Sequence, residues 1–195
     1  MKINGQEWVR GGDLGPALER NDPALKKLEG YSGGYGSSMD VMLKLVAKHF
    51  KGNRYLEVGT FDGIVLSMLA WTYPMREFHA IDNFAEGYAT ESGCLRYFIE
   101  NNERNKNVFL HVGTTVNVKL EGKFGMILID GDHSYEWVKI DAQTLWPFLE
   151  VGGVMVFHDY DHEAVKRAVT EVFGSVEKFE HGEFVFTRKV DADKA

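Results

Sequence analysis

Asp130, Asp132 and His133 fall within four positions of one another, directly after the apolar run Met126-Ile127-Leu128-Ile129. His158 and Asp159 close a second apolar run, Val154-Met155-Val156-Phe157. Oxygen ligands at the ends of two neighbouring strands suit a hard divalent cation that keeps open water positions. Each residue also has a plainer reading. Asp132 is a common turn former, His133 would start the helix capped by Ser134, and His158-Asp159 could simply end a strand.

A second constellation lies earlier. Arg54-Tyr55-Leu56-Glu57-Val58-Gly59-Thr60-Phe61-Asp62-Gly63 is an apolar run carrying an acid, followed by two glycines four apart. Gly59 permits a sharp turn, and Gly63 lets the next helix approach a ligand with no Cβ between. Backbone N–H groups at such a helix start favour a carboxylate or a phosphate. Ionised Glu57 only accepts hydrogen bonds, which suits an ammonium or hydroxyl donors. Together they point to a ligand with both an amine and a carboxylate, although the loop alone is also an ordinary strand-to-helix turn. Asp82 ends the next strand, where an acid in a nucleotide-binding unit accepts from ribose hydroxyls. His111-Val112-Gly113-Thr114-Thr115 ends a third strand with a glycine and two hydroxyls, suited to an adenine edge.

These groups need a scaffold that gathers strand ends. Strands are expected at 54–58, 78–82, 108–112, 124–130 and 152–158, and helices at 62–73, 92–103, 134–146 and 161–173. Pro74 and Pro147 stop two of the helices. The last helix carries Ala164, Val165, Ala168, Val169, Val172 and Phe173 on one face, with Asp161 as its N-cap. Val176 to Glu180 and Glu183 to Arg188 flank His181-Gly182 and read as an antiparallel hairpin. Continuous apolar runs mark buried parallel strands, and open α/β sheets bind ligands beyond their carboxyl ends. The expected fold is therefore α/β, a doubly wound, Rossmann-like, mostly parallel seven-stranded sheet. Five βα units build it, and the antiparallel hairpin finishes it.

The first fifty residues read differently. Leu14, Leu18, Leu25 and Leu28, interrupted by Pro16 and Pro23, suggest short helical pieces. Tyr31 to Ser38 is a glycine-rich loop, either a connector or a lid over a ligand. Met39, Met42, Leu43, Val46 and Phe50 recur at helical spacing. The expected division is an N-terminal helical and lid segment at 1–50, a ligand-binding domain at 51–190, and a polar tail at 191–195. His49, His79, His162 and His181 fall on expected surface or strand positions and receive no role.

The bulk numbers set outer limits. A chain of 195 residues is sized for one domain with a real core. A net charge of -7 and no basic stripe argue against a nucleic-acid backbone as partner. The single cysteine, Cys94, allows no internal disulfide and fits a reducing compartment. No apolar run reaches the roughly 18 residues of a membrane span, and no signal-peptide core opens the chain. A cytoplasmic protein with no membrane partner is the expectation, with a homodimer left open.

With these residues in hand, the chain resembles the class I S-adenosylmethionine-dependent methyltransferases over about residues 50 to 190. Glu57-Val58-Gly59-x-x-x-Gly63 resembles their first motif, Asp82 their ribose acid, and Leu149 to Val156 the segment leading into their fifth strand. The resemblance implies a donor site of Glu57, Gly59, Thr60, Gly63, Asp82, Asn83, Gly113, Thr114 and Asp130. Ile129 to Glu136 and Phe157-His158-Asp159-Tyr160 are similar to small-molecule O-methyltransferases of the catechol and macrolide-sugar type. That likeness implies a small-molecule hydroxyl substrate and a cation on Asp130, His158 and Asp159. It also implies a general base at His133, three residues after the first acid, or at Asp132, two after it. His158 stands where a carboxylate is usual, which leaves Mg²⁺, Mn²⁺, another transition metal or no metal open. The positive end of the helix after His133 is expected to favour the neutral ring that a base needs. A non-catalytic donor-binding scaffold is the main rival, and a nucleotide-dependent oxidoreductase is disfavoured by the missing third glycine.

Overall fold

The computed structural model describes residues 2–3, 6–7, 36–61, 63–83, 106–179 and 183–191. A short antiparallel pair, β1 (Lys2–Ile3) and β2 (Gln6–Glu7), stands apart from the main sheet. Helix α1 (Gly36–His49) then leads into β3 (Arg54–Val58), α2 (Ile64–Thr72), β4 (Glu77–Asp82), β5 (Val108–Val112) and β6 (Phe124–Ile129). Helix α3 (Tyr135–Leu145), a single 3₁₀ turn, β7 (Leu149–Phe157), α4 (Glu163–Phe173), β8 (Glu177–Lys178) and β9 (Val185–Arg188) complete the order.

The seven-stranded sheet runs β5-β4-β3-β6-β7-β9-β8. Strands β3 to β7 pair in parallel, while β9 and β8 are antiparallel. From β3 the chain winds outward to β4 and β5, then returns to lay β6 on the other side of β3. The direction reverses between β3 and β6, and such a switch point opens a crevice at the carboxyl ends of the strands. The expected α/β doubly wound sheet with its terminal hairpin is the observed one.

Side chains alternate across the strands, so each run feeds two cores. Tyr55, Phe78, Val108, Met126, Leu128 and Val156 pack on the side of α1 and α2. Leu56, Ile81, Ile127, Ile129, Met155 and Phe157 pack on the side of α3 and α4. Val165, Ala168 and Val169 of α4 are buried there, each valine contributing roughly 1.5–3 kcal/mol. Of the expected apolar positions in α1, Met42, Val46 and Phe50 are buried, joined by Val41 and Leu45.

Several expectations change. Helix α1 starts at Gly36, so Gly36, Ser37 and Ser38 are helical; residues 31–35 of the glycine-rich loop lie outside the described residues, as do 14–28 and the helix expected at 92–103. The β5–β6 connection holds turns at 115–117 and no helix, so the regular βα alternation breaks there. Asp161 does not cap α4. His162 occupies that position without a side-chain bond, because a turn closed by His162 N–H to the Asp159 carbonyl (2.9 Å) delays the helix start. His49, at the end of α1, is buried, and His79 is buried within β4.

His79 shows why a buried imidazole is tolerated. Its ring stacks on Phe109 with centroids 4.6 Å apart. Arg54 Nη2 lies 3.3 Å from His79 Nε2, and His79 Nδ1 lies 3.0 Å from His111 Nε2. Arginine only donates, so His79 accepts at Nε2 and passes its own proton toward His111. Burial and then the Arg54 charge hold the His79 pKa down to about 4, against an ordinary 6.5. The unfolded chain therefore binds more protons between those values, and stability is lost as pH falls from 6.5 toward about 4. Denaturant titrations across that window should show a smaller acid-side loss in His79→Gln than in the parent. Equal losses would contradict this account.

Candidate active site

The glycine loop after β3 is pinned from two directions. Gly59 adopts φ +79°, and a Cβ there would sit 2.2 Å from the Asp130 carbonyl oxygen and 2.5 Å from Gly131 Cα. Only glycine lets the β3 and β6 ends meet this closely. Asp82, at the end of β4, accepts from the Thr60 N–H (2.9 Å) and the Phe61 N–H (3.1 Å) through one carboxylate oxygen. Its first task is thus to hold the loop. Phe61 keeps φ at +50°, uncommon for a side chain that is not glycine, and such strain gathers at functional sites. Gly63 is the N-cap of α2 in the left-handed conformation (φ 73°), so glycine there serves the turn itself.

Glu57 lies beneath this loop with only 3% exposure. The Tyr55 hydroxyl donates to it at 3.2 Å, from the same face of β3 two residues earlier. The buried Thr60 hydroxyl is close enough to temper its charge but makes no hydrogen bond of normal geometry. Burial, with Asp130 and Asp82 nearby, raises the Glu57 carboxyl to about 8. A cationic group entering the crevice would draw that proton off.

The acids and histidines of the β6 and β7 ends form one cluster. His158 Nδ1 lies 2.9 Å from Asp130 Oδ1 and 3.1 Å from Asp159 Oδ2. His133 Nε2 lies 3.0 Å from Asp159 Oδ2 and 3.5 Å from Asp130 Oδ1. It is buried yet has no aligned hydrogen bond, because neither carboxylate lies along its N–H direction. His158 Nε2 is likewise buried without a partner. Asp159 takes φ +51°, a second strained residue at the crevice.

One expectation about this cluster is corrected, and another gains an alternative. Asp130, His133 and Asp159 have ligand atoms that all lie within 4.8 Å of one another, so His133 stands beside His158 as a candidate imidazole for a cation set. The His133 pKa is raised, because Asp130 first and Asp159 next favour its charged form and outweigh the helix end. Asp132 faces solvent and accepts from the Ser134 N–H at 2.7 Å, the turn-forming role. Ser134 caps α3 by accepting from the Trp137 N–H.

The remaining expected residues ring the crevice. The Gly113 N–H donates to the Asp82 carbonyl (2.9 Å), and the Thr114 N–H to Asn117 Oδ1 (2.7 Å). Asn83 is exposed just beyond β4. Asn117 and Asp141 escaped the sequence reading, which took Tyr55 only as part of an apolar run and Thr115 as a hydroxyl for an adenine edge, whereas its hydroxyl bonds the buried Asp141. A polar residue on the apolar face of α3, beside Val138, Ala142 and Leu145, was the available signal for Asp141.

Residues 56–160 match a family model described as a methyltransferase domain. An uncharacterized protein of Acanthamoeba polyphaga mimivirus is 24% identical over 151 residues, 68% of this chain and 64% of that protein, so the chain spans less than two thirds of that curated relative. Among solved structures, the calicheamicin methyltransferase CalS11 is similar with TM-score 0.66 and 15% identity, covering 98% of this chain and 100% of that one. The O-methyltransferase NovP gives TM-score 0.66 and 16% identity over 78% and 81% of the two chains. TomG, an O-methyltransferase of Streptomyces achromogenes solved with S-adenosylmethionine, gives TM-score 0.61 and 16% identity over 95% and 92%. Among the described residues, no helix is long and apolar enough to cross a membrane.

Glu57 supplies a test that needs no substrate. Its folded carboxyl keeps a proton that the unfolded chain gives up, so stability should fall as pH rises from 4.5 to about 8. In Glu57→Gln that contribution to the slope should vanish, leaving the variant more stable than the parent above pH 8. A variant with the parent's profile would show that Glu57 is ionised in the folded crevice.

Proposed function

The chain belongs to the methyltransferase domain family, and from that membership we propose that it is an S-adenosylmethionine-dependent enzyme that methylates a hydroxyl group of a small molecule. The observation that carries this reading is the contact between the Gly59 loop and Asp130, which joins the expected donor cradle to the acid and histidine cluster. The O-methyltransferase likeness of CalS11, NovP and TomG supports the hydroxyl acceptor.

S-adenosylmethionine would supply an electrophilic methyl group bound to a positive sulfur. The chain's own part is to hold and orient. The backbone N–H groups of a helix start, here that of α2, suit the carboxylate end of the donor, and Glu57 and Asp82 suit its ammonium and ribose. The five acids around the crevice, Glu57, Asp82, Asp130, Asp132 and Asp159, match a cationic donor better than its neutral-sulfur product.

His133 is the proposed proton acceptor. Its Nε2 is buried with no aligned hydrogen bond, and Asp130 and Asp159 stand ready to stabilise the imidazolium once it forms. His158 Nδ1 lies within 2.9–3.1 Å of those same two oxygens, which helps hold the carboxylates in place beside His133.

A second reading rests on the convergence itself. A six-coordinate cation with bonds of about 2.1 Å places neighbouring ligand atoms about 3 Å apart, and His133 Nε2 lies 3.0 Å from Asp159 Oδ2 and 3.5 Å from Asp130 Oδ1. Asp130, His133 and Asp159 would then hold a divalent ion such as Mg²⁺ or Mn²⁺, whose charge would lower the pKa of a substrate hydroxyl. An imidazole among the ligands favours Mn²⁺ over Mg²⁺.

A mass-shift screen with methyl-labelled S-adenosylmethionine and a panel of small hydroxyl compounds tests the activity. A labelled ether product supports it; donor binding with no product across the panel would favour a scaffold role. Once a product is found, His133→Ala should lower turnover roughly 100-fold or more, with Asp132→Asn keeping most of it. The reverse pattern would move the base to Asp132. Full turnover after exhaustive chelation would retain His133 as base and dismiss the cation, whereas loss restored by Mn²⁺ would make His133 a ligand.

A further inference from the structure

The β5–β6 connection has no helix to hold it, yet its near end lies against the end of β4, beside Asp82. Its near end is fixed by backbone: Gly113 N–H on the Asp82 carbonyl, and Asn117 closing on Thr114. A Cβ at Gly113 would sit 2.4 Å from Asn117 Oδ1, so this turn is folded tightly on itself. Further along, Val118 and Leu120 rest on the core beneath α3 and α4. Between these anchors, the Thr115 hydroxyl donates to Asp141 Oδ1 of α3 at 2.5 Å.

Both Thr115 and Asp141 are 4% exposed. A hydroxyl and a carboxyl taken out of water are a poor way to add stability, since an apolar pair of similar volume would usually do as well or better. What the polar pair adds is direction. A short bond between two buried groups fixes one rotamer on each side and sets the height of the 113–117 turn against α3. That same helix is capped by Ser134, the residue after His133. The tie therefore links the turn beside Asp82 to the element that presents His133.

We propose that Thr115 and Asp141 are positioning residues that hold the 113–117 turn in the geometry the methyl donor needs, resting on the reading of this crevice as an S-adenosylmethionine site. Thr115 acts through the turn and need not touch the donor.

The test pairs calorimetric titration of S-adenosylmethionine with thermal melting, on the full chain. Thr115→Val should weaken donor affinity by about tenfold, the scale of one hydrogen bond to a charged group, and should also lower Tm. Thr115→Ser, which keeps the hydroxyl, should restore both. In the double variant Thr115→Val with Asp141→Leu, the buried unpaired carboxyl is gone, so Tm should recover while donor affinity stays weak. Recovery of affinity together with Tm would overturn the proposal and leave the pair as packing. Parent-like affinity in Thr115→Val would overturn it as well. A parent chain that fails to bind S-adenosylmethionine at all would instead overturn the donor-site reading, and the proposal with it.

Discussion

Among the described glycines, Gly59 makes the closest approach to other backbone, at the Asp130-Gly131 segment, where a Cβ would lie 2.2 Å from a carbonyl oxygen. Steric repulsion at that distance is prohibitive, so the neighbouring β3 and β6 can end side by side only with glycine at 59. Their register, Val58 opposite Ile129, then carries the loop and the acid cluster to one level of the sheet. Among the described residues, the glycine loop and the acid and histidine cluster both sit on this junction. Asp82 reaches across from β4 to hold the loop, and His158 and Asp159 reach across from β7 to meet Asp130.

The junction is also a concentration of negative charge in partly dry surroundings. Glu57 responds by holding its proton, and Asp130 by drawing on the nearby His133 and on the hydrogen-bonded His158, which together keep its pKa low despite burial. These are two different solutions on adjacent strands. Both leave the crevice ready for a cation, whether the sulfonium of a donor, an ammonium or a metal ion. The left-handed backbone at Phe61 and Asp159 belongs with this picture, since strain of that kind persists only where surrounding bonds enforce it.

Much of this was legible in the chain itself. Buried parallel strands are apolar throughout, so their ends stand out as the first polar residue, and Asp82, Asp130 and His158 were found in that way. The reversal of winding and the terminal hairpin followed from the spacing of runs. Side-chain direction was harder to read. Spacing put His133 and His158 at the same crevice but could not say which nitrogen would face the carboxylates, a matter of rotamers and of a strained φ at Asp159. The helix dipole argument for His133 failed because two carboxylates at 3.0–3.5 Å outweigh a partial charge. The β5–β6 link was read without a helix, but the Thr115–Asp141 bond that leaves it was invisible to pattern, because it joins residues distant in sequence.

The most direct test of the central claim is a crystal structure of the chain with S-adenosylhomocysteine, the demethylated donor. The account predicts density across the carboxyl ends of β3 and β4, with ribose hydroxyls on Asp82, the amino-acid end over the 59–63 loop, and the sulfur facing His133. Density for the ligand elsewhere, or an empty crevice at saturating concentration, would contradict it.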